Sequence, residues 1–183
     1  MKNYLFLFFP FFINVGYCQK EIKFTEQNWG VGVPVTIKGN TIIRVEGAND
    51  EHSTTNIKYE SYEQLVASSI KRADEEMWAE EKKKKNLTYL ENKAIGGYLV
   101  IFVERQSITT ANSNAFTVII KDTLEQELYR NELLDQIPEV PKRDLWYNTD
   151  GFDIPVKINN RFFVYVIDKF GGEKKRYKFE VKL

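Results

Sequence analysis

The chain of 183 residues holds one histidine, His52, and one cysteine, Cys18, and these two side chains bound the chemistry open to it. A Ser-His-Asp or Cys-His device must run through His52, yet no G-x-S-x-G elbow is present to supply the nucleophile. A zinc site draws on several nitrogen and sulfur ligands, more than one imidazole and one thiol provide. His52 stands among Asp50, Glu51 and Ser53, the setting of a solvated loop imidazole. Gly30-Val31-Gly32 begins like a dinucleotide fingerprint, but Val35 occupies the place of the third glycine, and no Walker lysine follows any glycine run. No cofactor is therefore expected.

Carboxylates are plentiful, with 26 acidic side chains. A pair across a cleft is what a glycosidase-like hydrolase requires, one acid to protonate and one to attack or activate water. Glu104, Asp144, Asp150 and Asp153 are the candidates for that alternative. Asn148-Thr149-Asp150-Gly151-Phe152-Asp153, near Asp144, also groups hard oxygen donors around a glycine, in the manner of a calcium loop. An Asp150-Gly151 turn between strands accounts for the same residues, and no metal is expected. Trp146-Tyr147, close to Pro138 and Pro141, is the best binding candidate. Neighbours on a strand point to opposite faces, so one ring goes inward and the other is available to stack on a sugar or anchor a peptide. Lys82 to Lys85 follow Glu80 and Glu81 and read as a solvated helix end. Asn86-Leu87-Thr88 matches an N-glycosylation acceptor, and Asp122-Thr123-Leu124 resembles the short O-glycosylation acceptor of some bacterial exported proteins.

Composition narrows the partners. The 26 basic residues balance the 26 acidic ones, so the positive field of a general nucleic-acid binder is absent. No run of residues carries a family signature, and no repeat of solenoid length is present. The N-terminus is informative: Met1-Lys2-Asn3 precedes an apolar run from Tyr4 to Ile13, and Gly16-Tyr17-Cys18 offers small residues three before and one before a cut. As a helix those ten or so positions would cover about 15 Å, about half the hydrocarbon core, and Pro10 weakens the helix further. The expectation is a signal peptide over 1–18, cleaved between Cys18 and Gln19, and a secreted or periplasmic chain with no membrane span. Val15-Gly16-Tyr17-Cys18 also looks like a lipobox, which makes a lipid anchor on Cys18 the alternative.

These groups need elements to position them. Ile22 and Phe24 alternate with polar residues as a short strand. Val35 to Ile37 and Thr41 to Val45 flank Gly39-Asn40, a two-residue turn of the type that takes glycine first. Residues 46–56 carry almost no apolar side chains and read as a solvated loop before a strand at Ile57 to Tyr59. Ser61 and Gln64 form the S-x-x-Q capping box of one long helix running to about Lys85; Tyr62, Leu65, Val66, Ser69, Ile70, Ala73 and Met77 make its stripe, and Asn86 is its stop. Strands are expected from Leu87 onward. Tyr98 to Val103, apolar on both faces, pairs as a hairpin with Ala115 to Ile120 across a polar connection. Residues 122–130 fit either a helix capped through Asp122 and Glu125 or, the reading favoured here through Leu128-Tyr129, a strand; Leu145 to Tyr147 read as a short strand, and Phe162 to Ile167 with Tyr177 to Leu183 as a hairpin joined through Gly171-Gly172.

The expected architecture is mainly β within the α+β class. A hairpin-plus-helix unit over 19–96 packs on an antiparallel, sandwich-like region over 97–183, with 19–96 and 97–183 forming either two units or one. The expected function is that of an exported, non-catalytic binding or structural module acting on a protein, peptide or glycan of the cell envelope.

Overall fold

The structure, a computed structural model, describes residues 29–142, 144–170 and 175–183. Cys18, Gln19, the leader and the Ile22–Phe24 segment lie outside the described residues, as do Gly171 and Gly172. The elements run β1 (Pro34–Ile37), β2 (Asn40–Glu46), β3 (Ser53–Glu60), α1 (Tyr62–Glu75), α2 (Glu80–Lys93), β4 (Tyr98–Arg105), α3 (Ile108–Ala111), β5 (Phe116–Lys121), β6 (Glu127–Glu132), β7 (Glu139–Lys142), β8 (Leu145–Asp153), β9 (Arg161–Asp168) and β10 (Arg176–Lys182). The strands form two antiparallel sheets, one of six in the order β1-β2-β10-β9-β5-β6 and one of four in the order β3-β4-β8-β7. The protein is thus mainly β and sandwich-like. No helix among the described residues is long and apolar enough to cross a membrane.

Alternation along each strand builds the core. Ile57 and Tyr59 on β3 and Leu99, Ile101 and Val103 on β4 project from the small sheet. They meet Phe116, Val118 and Ile120 on β5, Phe162, Val164 and Val166 on β9, and Phe179 and Val181 on β10. Removing such side chains from water is the largest favourable contribution to folding, about 1.5–3 kcal/mol for each one fully buried. Tyr59 also meets Phe162 edge to face at 5.1 Å across the sheets. The C-terminal hairpin forms as its alternation predicts, in register from Arg176↔Ile167 to Lys182↔Arg161. The segment 122–130 does yield a strand, β6, paired with β5.

Several expectations are corrected. The β1–β2 turn is Lys38-Gly39, both at positive φ (50° and 84°), and not Gly39-Asn40. Asn40 is drawn into the strand opposite Ile37, where its buried amide donates to Tyr59 O and Gln64 Oε1, each at 2.9 Å. The polar stretch 46–56 is only partly a loop: Ser53, Thr54, Thr55 and Asn56 belong to β3 and are buried. Tyr98–Val103 and Ala115–Ile120 do not form a hairpin. β4 pairs with β3 and β8, whereas β5 pairs with β6 and β9, because the intervening residues fold into α3 and a short 3-10 turn that carries the chain from one sheet to the other. Asp150-Gly151 is not a turn but lies within β8, opposite Ile101 and Val100.

The long helix is two helices. Ser61 and Gln64 do form the capping box, yet α1 ends at Glu75. Met77 takes φ +49°; its N–H bonds Asp74 O, and the Trp78 N–H reaches back to Ala73 O. That is the two-bond pattern of a Schellman end, built here on methionine where glycine is usual, so nothing in the sequence announces it. Asn86 is no stop. It sits in the middle of α2, where its side chain accepts from Ser69 Oγ of α1, and helix continues to Lys93 where strand was expected. The lysine run consequently occupies the first half of α2 and not a helix C-terminus. Lys82 caps the Trp78 ring at 3.8 Å and Lys83 faces Asp74 at 3.4 Å.

Candidate functional site

Register across β3, β4 and β8 sorts every candidate side chain by face. On β4, Leu99, Ile101 and Val103 enter the core, so Tyr98, Val100, Phe102 and Glu104 stand on the outer face. Opposite residues of an antiparallel pair share a face. Tyr147 pairs with Glu104, Thr149 with Phe102 and Asp153 with Tyr98, which puts all three β8 residues outside. Trp146, Asn148, Asp150 and Phe152 pair with Arg105, Val103, Ile101 and Leu99, and so belong to the inner face. Trp146 and Tyr147, the predicted binding pair, are divided between the two faces, both half-buried.

The outer face thereby gathers a diagonal of aromatic rings, Tyr98, Phe102 and Tyr147. Tyr98 and Phe102 are four residues apart on one strand, about 13 Å at the usual strand rise. Tyr147 lies two register positions beyond Phe102 on the neighbouring strand. The Tyr98 ring lies across Gly151, where a Cβ would stand 2.4 Å from its Oη and 2.7 Å from its Cζ. This close approach is why a glycine occupies the interior of β8. Carboxylates orient the hydroxyls around the rings. Tyr147 donates to Glu139 on β7, and Tyr89, half-exposed on α2, donates to Asp153 at 2.6 Å. The hydrogen bond to Asp153 raises the Tyr89 phenol above its ordinary value; burial, then Asp153, Asp150 and Glu60, do the same for Tyr98. Both hydroxyls are therefore neutral over the physiological range, with the Tyr89 proton committed to Asp153 and its oxygen left to accept. Such a surface stacks rings on apolar ligand faces and offers phenol and carboxylate groups to ligand hydroxyls. Tyr89, Tyr98, Phe102 and Glu139 were not singled out from the sequence. Nothing within β4 marked this phase as the outward one, since its polar end, Glu104, is matched by the charged Arg105 on the inward phase.

The proposed acids do not converge. Glu104 and Asp153 share the outer face but sit at opposite ends of it, six strand positions apart in register, or about 20 Å. Asp150 is on the other face. Burial raises its carboxyl, offset in part by the Gly151 N–H at 2.7 Å. The niche around it, between Ile101, Val103, Ser113, Phe116, Leu133 and Asn148, is too narrow to admit water. Asp144 is exposed at φ +64° beside β8. The calcium-loop candidates alternate along β8, Asn148 and Asp150 inward, Thr149 and Asp153 outward, so their oxygens cannot close on one cation; no acidic or His cluster among the described residues is disposed to hold a metal. His52 is exposed, with Nε2 3.1 Å from Glu51.

A second polar concentration lies inside the sandwich. Arg105, 5% exposed, donates to Asp168 of the other sheet through Nε at 3.1 Å and Nη2 at 3.0 Å, to Thr54 O at 2.7 Å and to Thr55 Oγ1 at 2.7 Å. Arg44 on β2, 1% exposed, donates to Gly47 O, Thr55 O and Asn56 Oδ1 and lies near the Phe179 ring at 5.4 Å. Burial lowers its guanidinium to about 10, still charged at neutral pH. Each arginine joins one sheet to the other by hydrogen bonds whose partners are buried, the arrangement of a structural clasp. Comparison with protein families, with curated proteins and with solved structures gives no match for this chain.

Proposed function

We propose that the protein is an exported, non-catalytic module that binds an extended glycan of the cell envelope across the outer face of its four-stranded sheet. The diagonal of Tyr98, Phe102 and Tyr147, with Glu104, Glu139 and Asp153 beside it, carries this reading. Sugars present apolar C–H faces that stack on rings and hydroxyls that bond to carboxylates and phenols. A sheet face lined with rings suits a chain of sugars better than a peptide, which is bound in grooves or added along a sheet edge. Export rests on the charged start and apolar run before Gly16-Tyr17-Cys18.

The test is direct binding. Protein purified from its own host is applied to arrays of envelope polysaccharides, in wild type and as Tyr98→Ala and Tyr147→Ala. Each substitution is expected to weaken a recovered ligand about tenfold, the loss of about 1.4 kcal/mol of stacking and hydrogen bonding. Retention of the wild-type glycan profile by both variants would remove the platform from the proposal, and capture of a protein in place of any glycan would change the ligand class.

A further inference from the structure

Two glycosylation patterns occur in the sequence, and the fold treats them oppositely. Asn86-Leu87-Thr88 lies inside α2, with the Asn86 amide engaged by Ser69. Asp122-Thr123-Leu124 forms the tip of the β5–β6 hairpin. The Asp122 carboxylate accepts the N–H of Leu124 at 2.8 Å and of Gln126 at 2.9 Å, while Glu125 N–H bonds Asp122 O at 3.1 Å. Glu125, in the left-handed region at φ +64°, ties the turn to the sheet by accepting from Tyr165 Oη and Lys178 Nζ, both at 2.6 Å. The turn is preformed, and Thr123 is exposed at its apex with a hydroxyl that makes no hydrogen bond among the described residues. Beside it Leu124 is 76% exposed. An apolar side chain that buries so little contributes almost nothing to folding, so Leu124 can be changed without disturbing the turn.

We propose that Thr123 is an O-glycosylation site. Its Oγ1 attacks the anomeric carbon of a phosphate-activated sugar; the anomeric C–O bond to phosphate breaks, the phosphate leaves with the electron pair, and the hydroxyl proton passes to a base of the transferase. The site rests on the export reading, since it requires a transferase of the export route.

Intact-mass and glycopeptide analysis of the full chain expressed in its own host tests this, with the N-terminus read in the same spectra. The expected result is a hexose-type mass increment on the peptide containing Thr123, retained in Thr123→Ser and lost in Thr123→Val. Leu124→Lys, which leaves the turn bonds in place, is expected to lose most of the increment at unchanged thermal stability. An unmodified Thr123 on a chain beginning at Gln19 overturns the site and leaves export standing. An unmodified chain beginning at Met1 overturns both.

Discussion

Neighbouring rungs of one strand pair do opposite work. Arg105 opposite Trp146 faces the core, and there a charged group is held by buried acceptors of β3 and by Asp168 of the other sheet. One residue away, Glu104 opposite Tyr147 faces outward, and there polar and aromatic groups stand half-exposed on the surface. The lesson is that polarity alone does not mark a functional group in this fold. Inside the sandwich most hydrogen-bonding capacity of the two arginines is met by buried partners that link the sheets, although Arg44 Nε and the Tyr177 hydroxyl are buried without a hydrogen-bond partner among the described residues. Outside, the same strand pair presents half-exposed rings and carboxylates at the surface.

The strongest way to break this contrast is to orphan the clasp. Asp168→Ala leaves the Arg105 guanidinium buried without its counter-charge and is expected to cost about 3–5 kcal/mol in urea denaturation. Arg105→Met with Asp168→Leu is expected to cost less than Asp168→Ala alone, because removing both charges leaves no uncompensated one; an equal or greater cost would mean that the remaining bonds of Arg105, not the ion pair, hold the sheets.

The adjacent aromatic pair sharpens the comparison. Trp146→Ala, on the inner side, is expected to lose about 2 kcal/mol, and Tyr147→Ala, on the outer side, less than about 1 kcal/mol, with the effect on ligand binding in the reverse order. Equal stability losses would contradict the division of faces. Gly151→Ala is a subtler probe of the outer side alone. The new Cβ pushes the flexible end of Tyr98 off the strand, and the expected outcome is a loss of about 1 kcal/mol or less in thermal unfolding together with a binding defect like that of Tyr98→Ala.

The smallest effect is expected in the β2–β3 loop. Burial alone would raise the Asp50 carboxyl, but the Lys175 ammonium, the His52 N–H and Ser53 outweigh it and hold it at about 2, against an ordinary 3.8. A depressed carboxyl stabilises fully above its unfolded value and loses that contribution as pH falls through its folded one. Lys175→Met should therefore flatten the acid limb of stability between 3.8 and about 2, by less than about 1 kcal/mol because the pair is largely exposed to solvent.

The strands of the C-terminal hairpin, the existence of the β1–β2 hairpin and the capping box at Ser61 were all legible in the residues, because each depends on groups within a few positions of one another: side chains alternating at period two, a glycine in the turn, a hydroxyl three residues before a glutamine. The division of Trp146 and Tyr147 between two faces follows from the same period. What local order could not decide is which sheet a strand joins and what lies on each of its faces. Tyr98 to Val103 is apolar in both phases, and only the packing of Leu99, Ile101 and Val103 against β5, β9 and β10 turns Tyr98 and Phe102 outward. The partnership of β4 with β8, and not with β5, joins residues as far apart in sequence as Tyr98 and Asp153. The break at Met77 carries no glycine to signal it and is held by the Ser69–Asn86 and Lys83–Asp74 contacts between the two helices. Local sequence set the elements and their alternating faces; the tertiary structure, by deciding which face meets protein and which meets water, chose which side chains are available to bind.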